Sequence, residues 1–186
     1  MKKFFPGLVV ALALVSGGCG GVTQGDRVSG FFTAERDQTG VALSSTELER
    51  GMARFRGFFE NVTLESVREK TPELYAEEVW FNDTLKTLRG RQAVESYFLK
   101  TLDHVESFRT TVDDVAVSGV NVYVRWTMDV RFKGAKESVR TIGMTMLRFD
   151  REGRVVLHQD FWDSAAGFYE HLPVLGGVLR WIKSKI

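Results

Sequence analysis

The sequence predicts an α+β domain in which helices come first and a curved, mostly antiparallel sheet follows. Two observations predict it. Apolar residues recur at helical spacing up to about residue 105, and beyond that point the period becomes two. The clearest alternation spans 120–132, where Val122, Val124, Trp126, Met128, Val130 and Phe132 oppose Tyr123, Arg125, Thr127, Asp129 and Arg131. Such a strand buries one face and wets the other. The chain of 186 residues, 44% hydrophobic and 26% charged, is long enough for one domain with a real core. A net charge of +1 without a basic stripe gives no electrostatic footprint for nucleic acid.

The N-terminus reads as a leader. Lys2 and Lys3 precede an apolar run, Phe4 to Val15, and the small residues Ser16, Gly17 and Gly18. This is the three-part pattern of an export signal over 1–18. The run is too short for a membrane span of ~20 residues. Cys19 is the sole cysteine, so no intramolecular disulfide staples the fold. "VSGGC" resembles a bacterial lipobox, in which the cysteine is acylated with diacylglycerol after cleavage before it. The resemblance implies a lipoprotein in the cell envelope, facing the periplasm or the exterior. Ordinary cleavage, leaving a free thiol, is the alternative. Residues 19–44, with five glycines, read as a flexible tether. Phe31 and Phe32 are its apolar exceptions, suited to docking.

The domain itself is expected over 45–172. Ser44 with Glu47, or Thr46 with Glu49, forms a capping box. Leu48, Met52, Phe55, Phe59 and Val62 then mark a helix, and a shorter one is expected over 64–70. Pro72 is expected to start a new turn leading into the strand "EVWFND". Another helix spans Gly90 to Val105. Strands follow at 106–117, 120–132, 137–149 and 154–162, with "DREG" turning the last hairpin. Residues 164–172 read as helical. Residues 173–186 form an amphipathic helix suited either to a lipid interface or to closing the domain. A sheet curved around helices leaves a hollow between them.

With these elements in order, the chain resembles the nuclear-transport-factor-2-like superfamily in its SnoaL-like branch. The resemblance rests on the first helix, "WFNDTLKTLRGRQAVESYF", "LRFDREGRVV" and "HQDFWDSA". It implies a cone-shaped α+β barrel with a pocket at its wide end, and homodimers through the open sheet face. Members range from ketosteroid isomerases and polyketide cyclases to proteins without catalysis, so fold alone does not fix function. Laying "MARF", "FND", "TMLRFD" and "HQDFW" on the ketosteroid isomerase pattern fills the base position with Asp83 and the pocket tryptophan with Trp162. It puts Phe55 and Thr145 where that chemistry needs a tyrosine and a protonated aspartate. Losing one oxyanion donor costs ~10²–10³ in rate, so that specific activity is disfavoured.

Period two places Val156, His158, Asp160 and Trp162 on one strand face, with His158 and Asp160 within about 7 Å. A carboxylate beside a histidine suits acid–base work, and equally suits a structural polar pair. Asp83 is a candidate base or a turn cap, and Asp163 a helix N-cap. Phe55, Tyr97, Trp126, Thr145 and Trp162 are the candidate ligand contacts. The three histidines lack metal-ligand spacing, and no cofactor motif is present. Two functions remain: binding of a small hydrophobic ligand, or proton-transfer or hydrolytic chemistry on a hydrophobic carbonyl or epoxide through Asp83, His158 and Asp160. The anchor is directly testable. In a host that matures lipoproteins, globomycin should hold the chain as a slower-migrating precursor on a denaturing gel; unchanged mobility would remove the lipid.

Overall fold

The computed structural model describes residues 24–171 together with positions 177, 181 and 183–185. The expected export signal, Cys19 and most of the expected C-terminal helix lie outside the described residues. The elements run α1 (Gln24–Asp37), α2 (Ser45–Phe59), α3 (Leu64–Leu74), β1 (Tyr75–Asn82), β2 (Thr87–Arg89), α4 (Arg91–Leu102), β3 (Val105–Ser118), β4 (Asn121–Phe132), β5 (Val139–Phe149), β6 (Val155–Trp162) and a single turn, α5 (Ser164–Gly167). A 3₁₀ turn, Tyr169–His171, takes up most of the rest of the helix expected over 164–172.

Local chemistry sets the helix starts. Ser44 and Glu47 form a reciprocal capping box at α2, with the Ser44 amide 2.7 Å from the Glu47 carboxylate. Thr63 and Ser66 cap α3 in the same way. The turn expected at Pro72 is absent. Pro72 lies in the last turn of α3, which runs to Leu74 and passes straight into β1. The proline costs little there because the helix ends within two residues. The helix expected to reach Val105 stops at Leu102, and Val105 opens β3.

The strands form one sheet in the order β2-β1-β6-β5-β4-β3. Every pairing is antiparallel except β1 with β6. Irregularities in the β3–β4, β5–β6 and β1–β6 registers raise the local twist and curl the sheet. One of them corrects the expected face of β6. Val156 falls at the shift between Arg148 and Phe149, so Val155, not Val156, joins His158, Asp160 and Trp162 on the inner face. Helices α2 to α4 fill the concave side through Phe55, Phe58, Phe59, Val94 and Phe98. Phe58 meets Phe98 edge to face at 5.2 Å.

The convex side corrects the tether. Over 24–37 the expected flexible chain is a helix, packed on that side through Ala34 and Phe31 against Trp80, Met146 and Leu157. Phe31 docks 6.1 Å from the Trp80 ring, whereas Phe32 stays exposed. Arg148 latches the end of α1. Its guanidinium donates to the Glu35 and Gln38 carbonyls, to the Glu35 carboxylate at 3.0 Å and to Asn121 at 2.6 Å. A cation on the last carbonyls satisfies groups that a helix end leaves open. Gly40, at φ +64°, lets the chain leave the latch; a Cβ there would stand 2.9 Å from Cβ of Arg148. Replacing Arg148 with Ala strands Glu35 and frees α1. Urea unfolding of R148A should show a loss of about 3 kcal/mol, with new proteolytic cuts in 24–43; an unchanged midpoint and digest would mean that the latch contributes nothing in solution.

Candidate functional site

A cavity of about 760 Å³ lies between the concave sheet face and α2 and α4. Its size suits a drug-sized molecule. Phe55, Phe59 and Phe81 surround its inner end, Trp126 and Trp162 form a wall, and exposed Lys86, Lys100 and His104 stand at its mouth. The wall depends on Gly143. It pairs with Trp126 on β4 and with Trp162 on β6, and a Cβ would fall 2.5 Å from Trp126 Cζ2 and 2.8 Å from Trp162 Cβ. Only a residue without a side chain leaves room for the two indoles.

The inner face of β6 presents a connected chain of hydrogen bonds. Trp126 Nε1 donates to Thr145 Oγ1 at 2.8 Å. An indole can only donate, so Thr145 uses its own proton on Asp160 Oδ1, directly across the strand pair, at 2.5 Å. His158 Nε2 lies 2.9 Å from the same oxygen, and His158 Nδ1 lies 3.1 Å from the Tyr75 hydroxyl. Burial, and then the charges of Asp160 and Asp83, push the Tyr75 hydroxyl well above its ordinary pKa. Tyr75 is therefore a neutral phenol; the Asp160 carboxylate can only accept, so His158 Nε2 carries the proton facing it, and in that neutral tautomer Nδ1 accepts from Tyr75. His158 is 2% exposed, and its ring lies 4.6 Å from that of Phe81 at a tilt of 40°. Asp160 Oδ1 thus accepts two bonds. Oδ2 accepts none among the described residues.

Asp83 lines the same cavity in a different state. Its Oδ1 accepts from the amides of Leu85 at 2.9 Å and Lys86 at 2.7 Å, and its Oδ2 accepts from the Tyr97 hydroxyl. Trp162 Nε1 donates to its carbonyl at 2.8 Å. The carboxylate caps a tight turn in which Thr84 sits at φ 71°. A β-branched residue is strained in that region. Burial raises the Asp83 pKa above 3.8, the nearby Asp160 charge adds to the rise, and the Tyr97 and backbone hydrogen bonds oppose it. Burial and Asp83 together push the Tyr97 hydroxyl far up, so it remains a donor.

A family profile described as a SnoaL-like domain matches residues 55–158, more than half of the chain. The chain belongs to the SnoaL-like family. The match runs from the inner end of the cavity on α2 to the histidine on β6. No curated protein sequence matches the chain. Similar solved structures include an LEH-like epoxide hydrolase from M. tuberculosis, 17% identical with a TM-score of 0.54, covering 75% of this chain and 95% of that one. Another is a protein of ketosteroid isomerase-like fold from Catenulispora acidiphila, solved with trimethylamine: 17% identical, TM-score 0.56, covering 63% and 88%. A third is an NTF2-like protein of unknown function from Burkholderia pseudomallei: 21% identical, TM-score 0.51, covering 62% and 92%. At such identities the likeness shows the fold, the cone of this family, and leaves the reaction open.

Within that SnoaL-like cone, the structure brings Asp83, His158 and Asp160 to one cavity, together with Phe55, Tyr97, Trp126, Thr145 and Trp162. It gives Asp83 the bonding of a turn cap, and Asp163 that of an N-cap, through the Ala166 amide at 3.0 Å. The two positions that lack ketosteroid isomerase donors offer none in space: Phe55 has no hydroxyl, and the Thr145 proton is committed to Asp160. Sequence reasoning missed Tyr75, which meets His158 across 83 positions and carries no local signal. It also missed Gly143, whose signal was legible as a lone glycine inside a strand. Among the described residues no three His, Cys, Asp or Glu side chains converge as metal ligands.

The raised pKa of Asp83 has a defined consequence for stability. The folded chain holds that proton more tightly than the unfolded chain, so the associated stability is full below the unfolded pKa and is lost as pH rises through the folded one. The D83N variant keeps the turn acceptor and removes the titration. Urea midpoints measured upward from pH 4 should therefore fall less steeply for D83N than for the wild type; parallel profiles would assign the carboxyl an ordinary pKa.

Proposed function

We propose that the protein binds a small hydrophobic molecule in its cone and moves a proton on it, with Asp160 as the acid–base group. One observation carries this reading: Asp160 Oδ1 is held by two donors while Oδ2 is left open by the described residues, in a cavity walled by aromatic rings. A carboxylate fixed on one oxygen keeps the other aimed at whatever fills the cavity. Oδ2 can take a proton from carbon next to a carbonyl, or from a water attacking an epoxide or a carbonyl carbon, and then return it to another atom of the same substrate. His158 and Tyr75 position the carboxylate and need not touch the substrate.

The missing oxyanion donors narrow the substrate. With Phe55 at one position and the Thr145 proton spent, negative charge is best carried by conjugation within the substrate or quenched at once by the proton that Asp160 returns. Asp83 is the weaker candidate base because both of its oxygens are already bonded. The leader pattern supports a place for this chemistry outside the cytoplasm, on a membrane-held domain tied through Cys19.

The test is a panel of hydrophobic ketones and epoxides, with deuterium exchange and hydration followed by NMR. The D160N variant should lose at least ~10²-fold in rate while keeping its unfolding midpoint. Full activity in D160N, or loss in D83N with D160N untouched, would move the chemistry off Asp160.

A further inference from the structure

We propose that the mouth of the cone is an anion-binding rim, formed by Lys86 and Lys100, that takes the carboxylate of an amphiphilic acid whose hydrophobic body fills the cavity. This rests on the cavity being a ligand site, and it adds the chemical class and the direction of binding.

The rim follows from how two elements run. Along α4 and just past its end, Tyr97, Phe98, Lys100, Thr101 and His104 all line the cavity. The path leaves buried Phe98 and ends at exposed Lys100 and His104. The inner residues of this stripe are aromatic, and the outer ones are Lys100, Thr101 and His104. Lys86 arrives from the opposite side, on the β1–β2 turn. Its amide is bonded to Asp83, which also accepts from Tyr97, one helical turn before Lys100. The Asp83–Tyr97 bond thus ties together the two elements that carry the lysines. The strained turn at Thr84 is held by the Asn82 and Asp83 side chains, which fixes the point from which the Lys86 side chain leaves.

Neither lysine is neutralised by a described residue. Among the described residues neither forms an ion pair or a side-chain hydrogen bond, whereas Arg125, Arg131, Arg140 and Lys183 each pair with a carboxylate. Asp83, the carboxylate nearest in sequence to Lys86, has both oxygens committed elsewhere. The open negative oxygen of the cavity, Asp160 Oδ2, belongs to the inner face of β6, among buried residues. Lys86 and Lys100 therefore place two positive charges at the mouth, opposed in part by exposed Asp103 at the end of α4, while the open carboxylate oxygen lies inside. An amphiphile entering acid end first meets repulsion, and one entering tail first leaves its carboxylate between two unpaired ammonium groups. A neutral amphiphile gains nothing from the rim, and a long-chain amine is repelled there. The open Asp160 oxygen further favours a body bearing a polar group inside, since a bare alkyl chain would desolvate it without a bond.

Decanoate, decan-1-ol and decylamine share one tail and differ only at the head. Titration of the full chain, followed by calorimetry and by the fluorescence of the cavity tryptophans, should rank decanoate about tenfold tighter than decan-1-ol at low salt, a gain of the size expected for two exposed ion pairs. The advantage should shrink severalfold in 0.5 M salt, and K86Q/K100Q should bring decanoate to within about twofold of decan-1-ol. Decan-1-ol binding as tightly as decanoate, decylamine binding best, or an advantage that survives in K86Q/K100Q would each overturn the rim while leaving the cavity a ligand site. Failure of all three probes and of the neutral dye Nile red would overturn the cavity reading itself, and the rim with it.

Discussion

Asp160 is a part-buried carboxylate in a cavity walled by phenyl and indole rings, and a buried acceptor needs protein donors in place of the water it has lost. Much of the architecture follows from meeting that requirement. Trp126 supplies a proton it can only give, Thr145 passes its own across to β6, and His158 arrives from two residues along the same face. His158 in turn needs a donor on its far nitrogen, which Tyr75 provides from the first residue of β1. That need is consistent with the abrupt junction between α3 and β1: any loop inserted there would move Tyr75 out of reach. Gly143 belongs to the same demand, because Trp126 and Trp162 can flank the chain only where the strand between them has no side chain.

Strand β6 holds the two sides of the molecule together. It pairs in parallel with β1 and antiparallel with β5, so it lies inside the sheet with no free edge. Alternate residues face different partners. His158 and Asp160 face the cavity, whereas Leu157 packs under α1 with Trp80 and Met146. The latch at Arg148 continues this outer contact, since Arg148 pairs with Leu157 in the sheet while its guanidinium holds the end of α1. Docking of α1 and the shape of the cavity wall are thus mechanically linked through one strand.

The two carboxylates of the cavity show how environment separates roles that residue type leaves equal. Asp83 has every oxygen occupied, and its burial raises its proton affinity. It behaves as a structural clasp between the β1–β2 turn and α4. Asp160 has one oxygen clamped and, among the described residues, one free. Both are aspartates in or just after strands, and both lie near aromatic residues. Their difference is a count of donors, and donors come from distant parts of the chain.

Periodicity by itself determined the helices of the domain, the long strands and the shared face of His158, Asp160 and Trp162, because side-chain direction in a strand or helix repeats with fixed local geometry; that this face is the inner one came from the family resemblance. A capping box at the start of α2 was equally legible, being complete within four residues, although only the structure chose Ser44 over Thr46. The bulge that exchanged Val156 for Val155, the helix hidden in a glycine-rich stretch and the continuation of α3 through Pro72 were not, since each is decided by a partner elsewhere: a facing strand, an apolar sheet surface, a helix end two residues away. The division of labour between Asp83 and Asp160 belongs to the same class. Hydrogen-bond donors act over about 3 Å in space with no regard for separation along the chain, so only the closed fold could say which carboxylate had an oxygen to spare.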